Sequence, residues 1–228
     1  FHLLPSGCLH EGKQVVLGAG MVIHLPTLLE EIETLREHNI EVVDRLYISP
    51  AAHIIFDYHK DIDGAMEERR AEKKGQGIGT TKRGIGPAYM DKAERTGIRM
   101  DHLGQDLQGE LEQRKVRLKE IYNIDVNVQQ EVANLQEAKN LLKDRVFDVV
   151  DLLHTWMREG KTILVEGAQA TLLDIDHGTY PFVTSSSTTS AGALQGLGIA
   201  PNALTSCIGV AKAYCTRVGS GPFLTEME

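Results

Sequence analysis

Apolar positions along the chain follow two periods. Val15-Val16-Leu17 is a short apolar run closed by Gly18-Ala19-Gly20, which predicts a buried strand and a tight turn. Residues 25–38 set Leu28, Leu29, Ile32 and Leu35 on one face with acidic residues opposite, the spacing of an amphipathic helix, and Pro26 suits its first turn. Arg45-Leu46-Tyr47-Ile48-Ser49-Pro50 predicts another strand, and residues 51–70 a second helix. Residues 88–95 are helical in pattern, and a long helical stretch covers about 107–159 with a break near Asn123-Ile124-Asp125. Thr162-Ile163-Leu164-Val165 reads as a buried strand running into Glu166-Gly167-Ala168-Gln169, and Ser206-Cys207-Ile208-Gly209-Val210 as the start of a last one. Strand and helix alternate, so the expectation is an α/β fold: a mostly parallel central sheet flanked by helices. One domain over 1–228 is expected, with a helical insertion at about 100–160.

Composition narrows the partners. The chain has 228 residues, 42% hydrophobic and 25% charged, enough to build a core. A net charge of -8 argues against non-specific nucleic-acid binding, which needs a positive surface to release counterions. It leaves room for a nucleotide, since a local cluster of donors holds a phosphate. No apolar run approaches membrane-spanning length. Cys8, Cys207 and Cys215 show no metal spacing and read as reduced thiols of a cytoplasmic protein. Phe1 opens directly into an apolar run and Glu228 follows no terminating pattern, so both ends read as cuts.

Residues 75–87 interrupt the alternation with five glycines and the run Gly77-Ile78-Gly79-Thr80-Thr81-Lys82-Arg83-Gly84-Ile85-Gly86-Pro87. Glycines turn successive N–H groups toward one point, and such a nest binds anions. Thr80 and Thr81 add hydroxyl donors, and Lys82 and Arg83 add charge. The expectation is recognition of a phosphate monoester, although a basic surface loop has the same composition. It is not a P-loop, because no Gly-Lys-Ser/Thr ending is present. Tyr89, Lys92 and Arg95 recur every third residue on the following helix, near one stripe that could converge on the same ligand or face solvent.

The second polar concentration runs from Glu166 to Thr189. Gln169 offers a donor and an acceptor in one amide, suited to a purine edge. Thr184 and the serines after it could supply donors to a phosphate at a helix start near Thr188. Asp174, Asp176 and His177 have the chemistry of a metal-hydrolase centre, but their spacing suits loop capping better.

Three ordered blocks carry a family resemblance: Gly84-Ile85-Gly86-Pro87-Ala88-Tyr89-Met90-Asp91-Lys92-Ala93-Glu94-Arg95, then Glu166-Gly167-Ala168-Gln169 with Leu172-Leu173-Asp174-Ile175-Asp176-His177-Gly178-Thr179-Tyr180-Pro181, then residues 211–223 from Ala211-Lys212 to Pro222-Phe223. Together they resemble the adenylosuccinate synthetase family along the whole chain. The resemblance implies a P-loop-NTPase-like synthetase fold, incomplete here at both ends, and a homodimeric cytoplasmic ligase of purine biosynthesis. That enzyme joins IMP to L-aspartate with GTP and Mg²⁺ by phosphorylating the purine 6-oxygen and displacing it with aspartate. It further implies that Thr81, Gln169 and Thr184 contact IMP in one subunit, that Arg95 reaches the IMP phosphate of the partner subunit, and that Lys92 is a candidate for the chemistry.

The family's Gly-Asp-Glu-Gly-Lys-Gly loop and the following Gly-His pair do not occur here. The catalytic Asp and His, and the metal ligands, are therefore expected upstream of Phe1. The guanine-reading and aspartate-binding segments do not occur either. Smaller departures are Ala170 after the Gln, Ser187 where Asn is usual and Leu224 where Pro is usual. The competing reading is a non-catalytic nucleotide-phosphate binder of the same fold.

Overall fold

A computed structural model describes residues 1–74 and 77–223. Gly75 of the glycine-rich loop and Leu224 lie outside the described residues. The first strand, β1 (Val15–Leu17), pairs in parallel with β3 (Leu46–Ile48). Beyond the turn at Gly18–Gly20, β2 (Val22–His24) pairs in parallel with β4 (His53–Ile55). Between β2 and β3 runs α1 (Leu25–Glu37), the crossover that parallel strands require. His24 caps this helix, with the Thr27 N–H donating to its Nδ1 at 3.2 Å. Leu28, Ile32 and Leu35 of α1 are buried as their spacing predicts, Leu29 is half-buried, and Leu25 is buried as well.

Two helices match the apolar pattern, the helical region 107–159 carries a second break at Lys143–Arg145 beside the expected one at Asn123, and four strand segments depart from the pattern. The stretch expected to be one helix over 51–70 begins instead with β4, and α2 (Asp57–Lys74) follows. Ile54, Ile55 and Phe56 there are buried together with His53, which suits a strand between layers and not a one-faced helix. β2 was likewise absent from the pattern because Val22-Ile23 is too short to declare a period. The strands expected at 162–165 and 206–210 form no ladder: Leu164 is 83% exposed and Ile208 80%. A strand needs a hydrogen-bonded neighbour, and the described residues offer these two segments none.

After α3 (Ile85–Glu94) come α4 (Gln108–Tyr122), α5 (Val128–Leu142) and α6 (Val149–Arg158), with the breaks at Asn123 and Lys143. Leu111, Leu118, Ala138 and Leu142 of α4 and α5 share one buried cluster with Leu17, Leu46 and Ile48 of the strands. A second cluster joins Val149 and Leu153 of α6 to Val16, Tyr47 and Ile199. Helix α7 (Ser190–Leu197) packs there through Leu194 and Leu197. Each fully buried Leu or Ile contributes roughly 1.5–3 kcal/mol, so the core holds the strand ends where the polar loops emerge. Among the described residues, no helix is long and apolar enough to cross a membrane.

Candidate functional site

Four segments meet beyond the carboxyl ends of the strands: the Gly18–Gly20 turn, the loop 77–84 with α3, the loop 170–189, and residues 217–221. Tyr89 on α3 donates its hydroxyl to the Gly20 carbonyl at 2.6 Å, and Lys92 Nζ donates to the Ala19 carbonyl at 3.0 Å. Burial pushes the Lys92 ammonium below its usual range, with Arg99 adding repulsion. Tyr89 and Lys92 thus fasten α3 to the strand-end turn. Arg95 is the member left exposed, in a left-handed conformation with φ 67° at the helix end. A non-glycine residue held there is uncommon and aims its side chain off the helix.

The loop 170–189 is organised by Asp174, which is fully buried. Its Oδ1 accepts the N–H groups of Asp176 and His177, each at 3.0 Å, and its Oδ2 accepts the Thr188 N–H at 2.7 Å and the Ser187 hydroxyl at 3.1 Å. The Thr188 N–H, with those of His177 and Asp176 and the Ser187 hydroxyl, holds the carboxyl down at about 2 against the effect of burial. Both oxygens are thus spent on the chain itself. Asp174 fixes a loop, as its spacing suggested, and the metal-hydrolase arrangement is not formed. Among the described residues, no group of three or more His, Cys, Asp or Glu could hold a metal ion. The described residues do not fit a Mg²⁺ site.

Loop 170–189 lies against the glycine loop. A side chain at Gly86 would stand 3.4 Å from Ser185 Oγ, and Ser186 lies against the hydroxyl of the half-buried Tyr89. Residues 217–221 close the third side. Arg217 donates to the Thr179 hydroxyl at 3.2 Å and the Phe182 carbonyl at 3.0 Å, while the Ser220 N–H donates to the Ile78 carbonyl at 3.1 Å. Thr81 and Gln169 are exposed, and Thr184 is half-buried, its N–H donating to the Leu173 carbonyl at 2.8 Å. Ala170, next to Gln169, takes the Thr188 hydroxyl on its carbonyl at 3.1 Å. The helix start expected near Thr188 falls at Ser190, and the Thr188 N–H is already taken by Asp174.

Three residues that pattern reading passed over hold this arrangement from α2. His59, Asp63 and Glu67 recur at a spacing of four and form one stripe along the helix. His59 is buried and meets Asp91 of α3, Nε2 to Oδ2 at 3.2 Å; Asp91 also takes Arg114 at 2.6 Å. Burial pushes the His59 imidazole down. Asp63 accepts the Gly84 N–H at 3.1 Å, which sets the left-handed start of α3, with φ 76° at Gly84. The Gly79 N–H donates to Glu67 at 2.5 Å. The signal was present in the i, i+4 spacing of polar groups, which resembles an ordinary solvated helix face.

Short parallel strand pairs with a crossover helix, and glycine- and hydroxyl-rich loops gathered at their carboxyl ends, define an α/β protein of the type that holds small ligands at strand ends. The family profile described as adenylosuccinate synthetase matches residues 1–228, and the chain belongs to that family. It is 47% identical over 99% of its length to the adenylosuccinate synthetase of Plasmodium vivax, of which it covers 52%. It is 48% identical to that of Drosophila melanogaster, covering 99% of this chain and 51% of the relative. The solved structure of fully ligated adenylosuccinate synthetase from Plasmodium falciparum superposes with a TM-score of 0.93 at 45% identity, covering 100% of this chain and 53% of that one. The chain spans about half the length of the relatives it matches.

Proposed function

We propose that the full-length protein carrying this chain is a GTP-dependent ligase that joins IMP and L-aspartate to give adenylosuccinate, GDP and phosphate on the route to AMP. The observation that carries this reading is the meeting of the Thr81 loop, α3 and the Asp174-ordered loop at one edge of the strands, within a family whose ligated member has the same backbone. Thr81, Gln169 and Thr184 are assigned to IMP. Hydroxyls and backbone donors serve its phosphate, and the Gln169 amide serves the base or sugar edge. Arg95, exposed at the end of α3, is assigned to the IMP phosphate held by the partner subunit of a homodimer, where a guanidinium can pair bidentately. Lys92 is assigned to positioning rather than chemistry, because its ammonium is engaged on Ala19.

GTP and Mg²⁺ enter as co-substrate and its cation; the metal offsets charge on the transferring phosphate, and no residue of this chain is assigned to it. What this chain supplies is orientation. Its loops hold the purine still while a poor leaving oxygen is converted into a good one. The compartment assigned is the cytoplasm, and the chain is read as part of a single synthetase domain in which residues 100–160 form a helical subregion.

The test is turnover by the full-length protein with IMP, L-aspartate and Mg²⁺-GTP, followed by mass detection of adenylosuccinate and GDP. Product formation dependent on all three substrates is expected. A folded protein that binds IMP and forms no adenylosuccinate would overturn the catalytic reading in favour of nucleotide binding alone.

A further inference from the structure

We infer that Glu67 is a positioning residue for the substrate-phosphate loop: its carboxylate fills the backbone nest of residues 78–80 from behind and leaves Thr81 and Arg83 to meet the ligand. This deepens the IMP reading above and rests on it for the identity of the ligand. The sequence alone suggested that the glycine-loop N–H groups themselves receive the phosphate. The structure places a carboxylate there first. Glu67 Oε1 accepts the Gly79 N–H at 2.5 Å, and the N–H groups of Ile78 and Thr80 face the same carboxylate. Burial pushes this carboxyl up, yet the Gly79, Ile78 and Thr80 N–H groups outweigh it and hold the group ionised below its usual range. The Glu67 side chain is only 14% exposed, with Arg70 3.7 Å from its Oε2.

The glycines fit this arrangement. A side chain at Gly77 would stand 2.8 Å from Glu67 Cδ, so the carboxylate approaches only because that residue has none. Gly79 takes φ 77°, and its other side is closed by Gly219, whose Cα lies 2.6 Å from where a Gly79 side chain would begin. Thus the turn is clamped between Glu67 of α2 and the Gly219-Ser220 backbone. A second anion cannot enter a nest already holding one, because like charges at that distance repel. The ligand phosphate therefore meets the outward face of the loop, where Thr81 and Arg83 are exposed. Glu67 converts a floppy glycine run into a template, lowering the ordering cost paid on binding.

The experiment uses the full-length protein with Glu67→Ala, Glu67→Gln and Gly77→Ala. Glu67→Ala is expected to raise KM for IMP by about tenfold or more, the loss of one or two charge-assisted hydrogen bonds. KM for aspartate and kcat should change by less than about threefold. Glu67→Gln, which keeps an acceptor for Gly79, should recover most of the loss. Gly77→Ala should reproduce the Glu67→Ala effect by displacing the carboxylate, and the double variant should be no worse than either single one. Amide exchange of residues 78–80 in the nucleotide-free protein should speed by about tenfold in Glu67→Ala. That arm needs no ligand, so a wild type that fails to bind IMP would sink the IMP reading while leaving this one decided by exchange. Unchanged exchange and unchanged KM in Glu67→Ala would overturn the proposal. A lowered KM for IMP would overturn it too, since Glu67 would then compete with phosphate instead of shaping its loop.

Discussion

Replacing Gly84 by alanine isolates the contact that sets the start of α3. Gly84 sits at φ 76°, a conformation that costs an L-residue about 1–2 kcal/mol. A Cβ there would stand 2.8 Å from His59 Cβ and 2.9 Å from both His59 C and Lys60 N. Two of these three atoms are α2 backbone, which cannot swing aside as a side chain can, and overpacking of this kind costs about 1–3 kcal/mol. Relieving it separates α3 from α2 and endangers the Gly84 N–H bond to Asp63 Oδ2 at 3.1 Å. The sum is about 2–5 kcal/mol of destabilisation, with α3 and its Arg95 displaced. The assay is denaturant unfolding of the full-length protein together with calorimetric titration of IMP. Gly104→Ala serves as the control, because a Cβ there meets nothing within 4 Å. The control should stay within about 0.5 kcal/mol of wild type. Equal stability of the two variants, or undiminished IMP affinity in Gly84→Ala, would refute the claim that this close approach fixes α3.

Arg114→Leu should destabilise by about 2 kcal/mol because the half-buried Asp91, paired with the buried His59, is left without its cation, while Arg114→Lys loses less; urea midpoints of the two variants check this. Burial pushes Glu131 up to about 7 from 4.5, helped by Asp57, so the protein gains most from this group below pH 4.5 and loses that gain as pH rises through about 7. Glu131→Gln should therefore be the more stable form at pH 9, by up to about 3 kcal/mol, and show no advantage at pH 4; unfolding curves at the two pH values decide it. Asp174 has the opposite sign. Its carboxyl is depressed from 3.8 to about 2, so its contribution is present above pH 3.8 and fades as pH falls through about 2. Asp174→Asn should open loop 170–189 to proteolysis at pH 7, and the difference from wild type in unfolding midpoint should shrink toward pH 2.

Where periodicity is long it decides the element: α1 and the helices on either side of Asn123 follow from apolar spacing alone. β2 and β4 escaped notice because three residues carry no period, and burial on both faces erases the alternation that marks a strand. Residues 162–165 and 206–210 looked like strands from composition, yet pairing is a property of the neighbour, which composition does not contain. At the site, Asp174 was legible as a loop-fixing group from its short spacing to Asp176 and His177. The roles of Tyr89 and Lys92 were not, since a helical stripe does not say whether it faces a ligand or the Gly18–Gly20 turn. His59, Asp63 and Glu67 were hidden for the same reason. Only the crossing of α2 over the glycine loop, a long-range contact, turns a polar face into a support.

The most direct test of the account is titration of IMP into the full-length protein and into its Thr81→Val, Gln169→Ala and Thr184→Val variants. Each removes a polar group of this chain without adding bulk. The account predicts that wild type binds IMP and that each variant binds about tenfold more weakly or worse while unfolding at the wild-type midpoint. Folded variants with IMP affinity equal to wild type would contradict the claim that these two loops close on one mononucleotide.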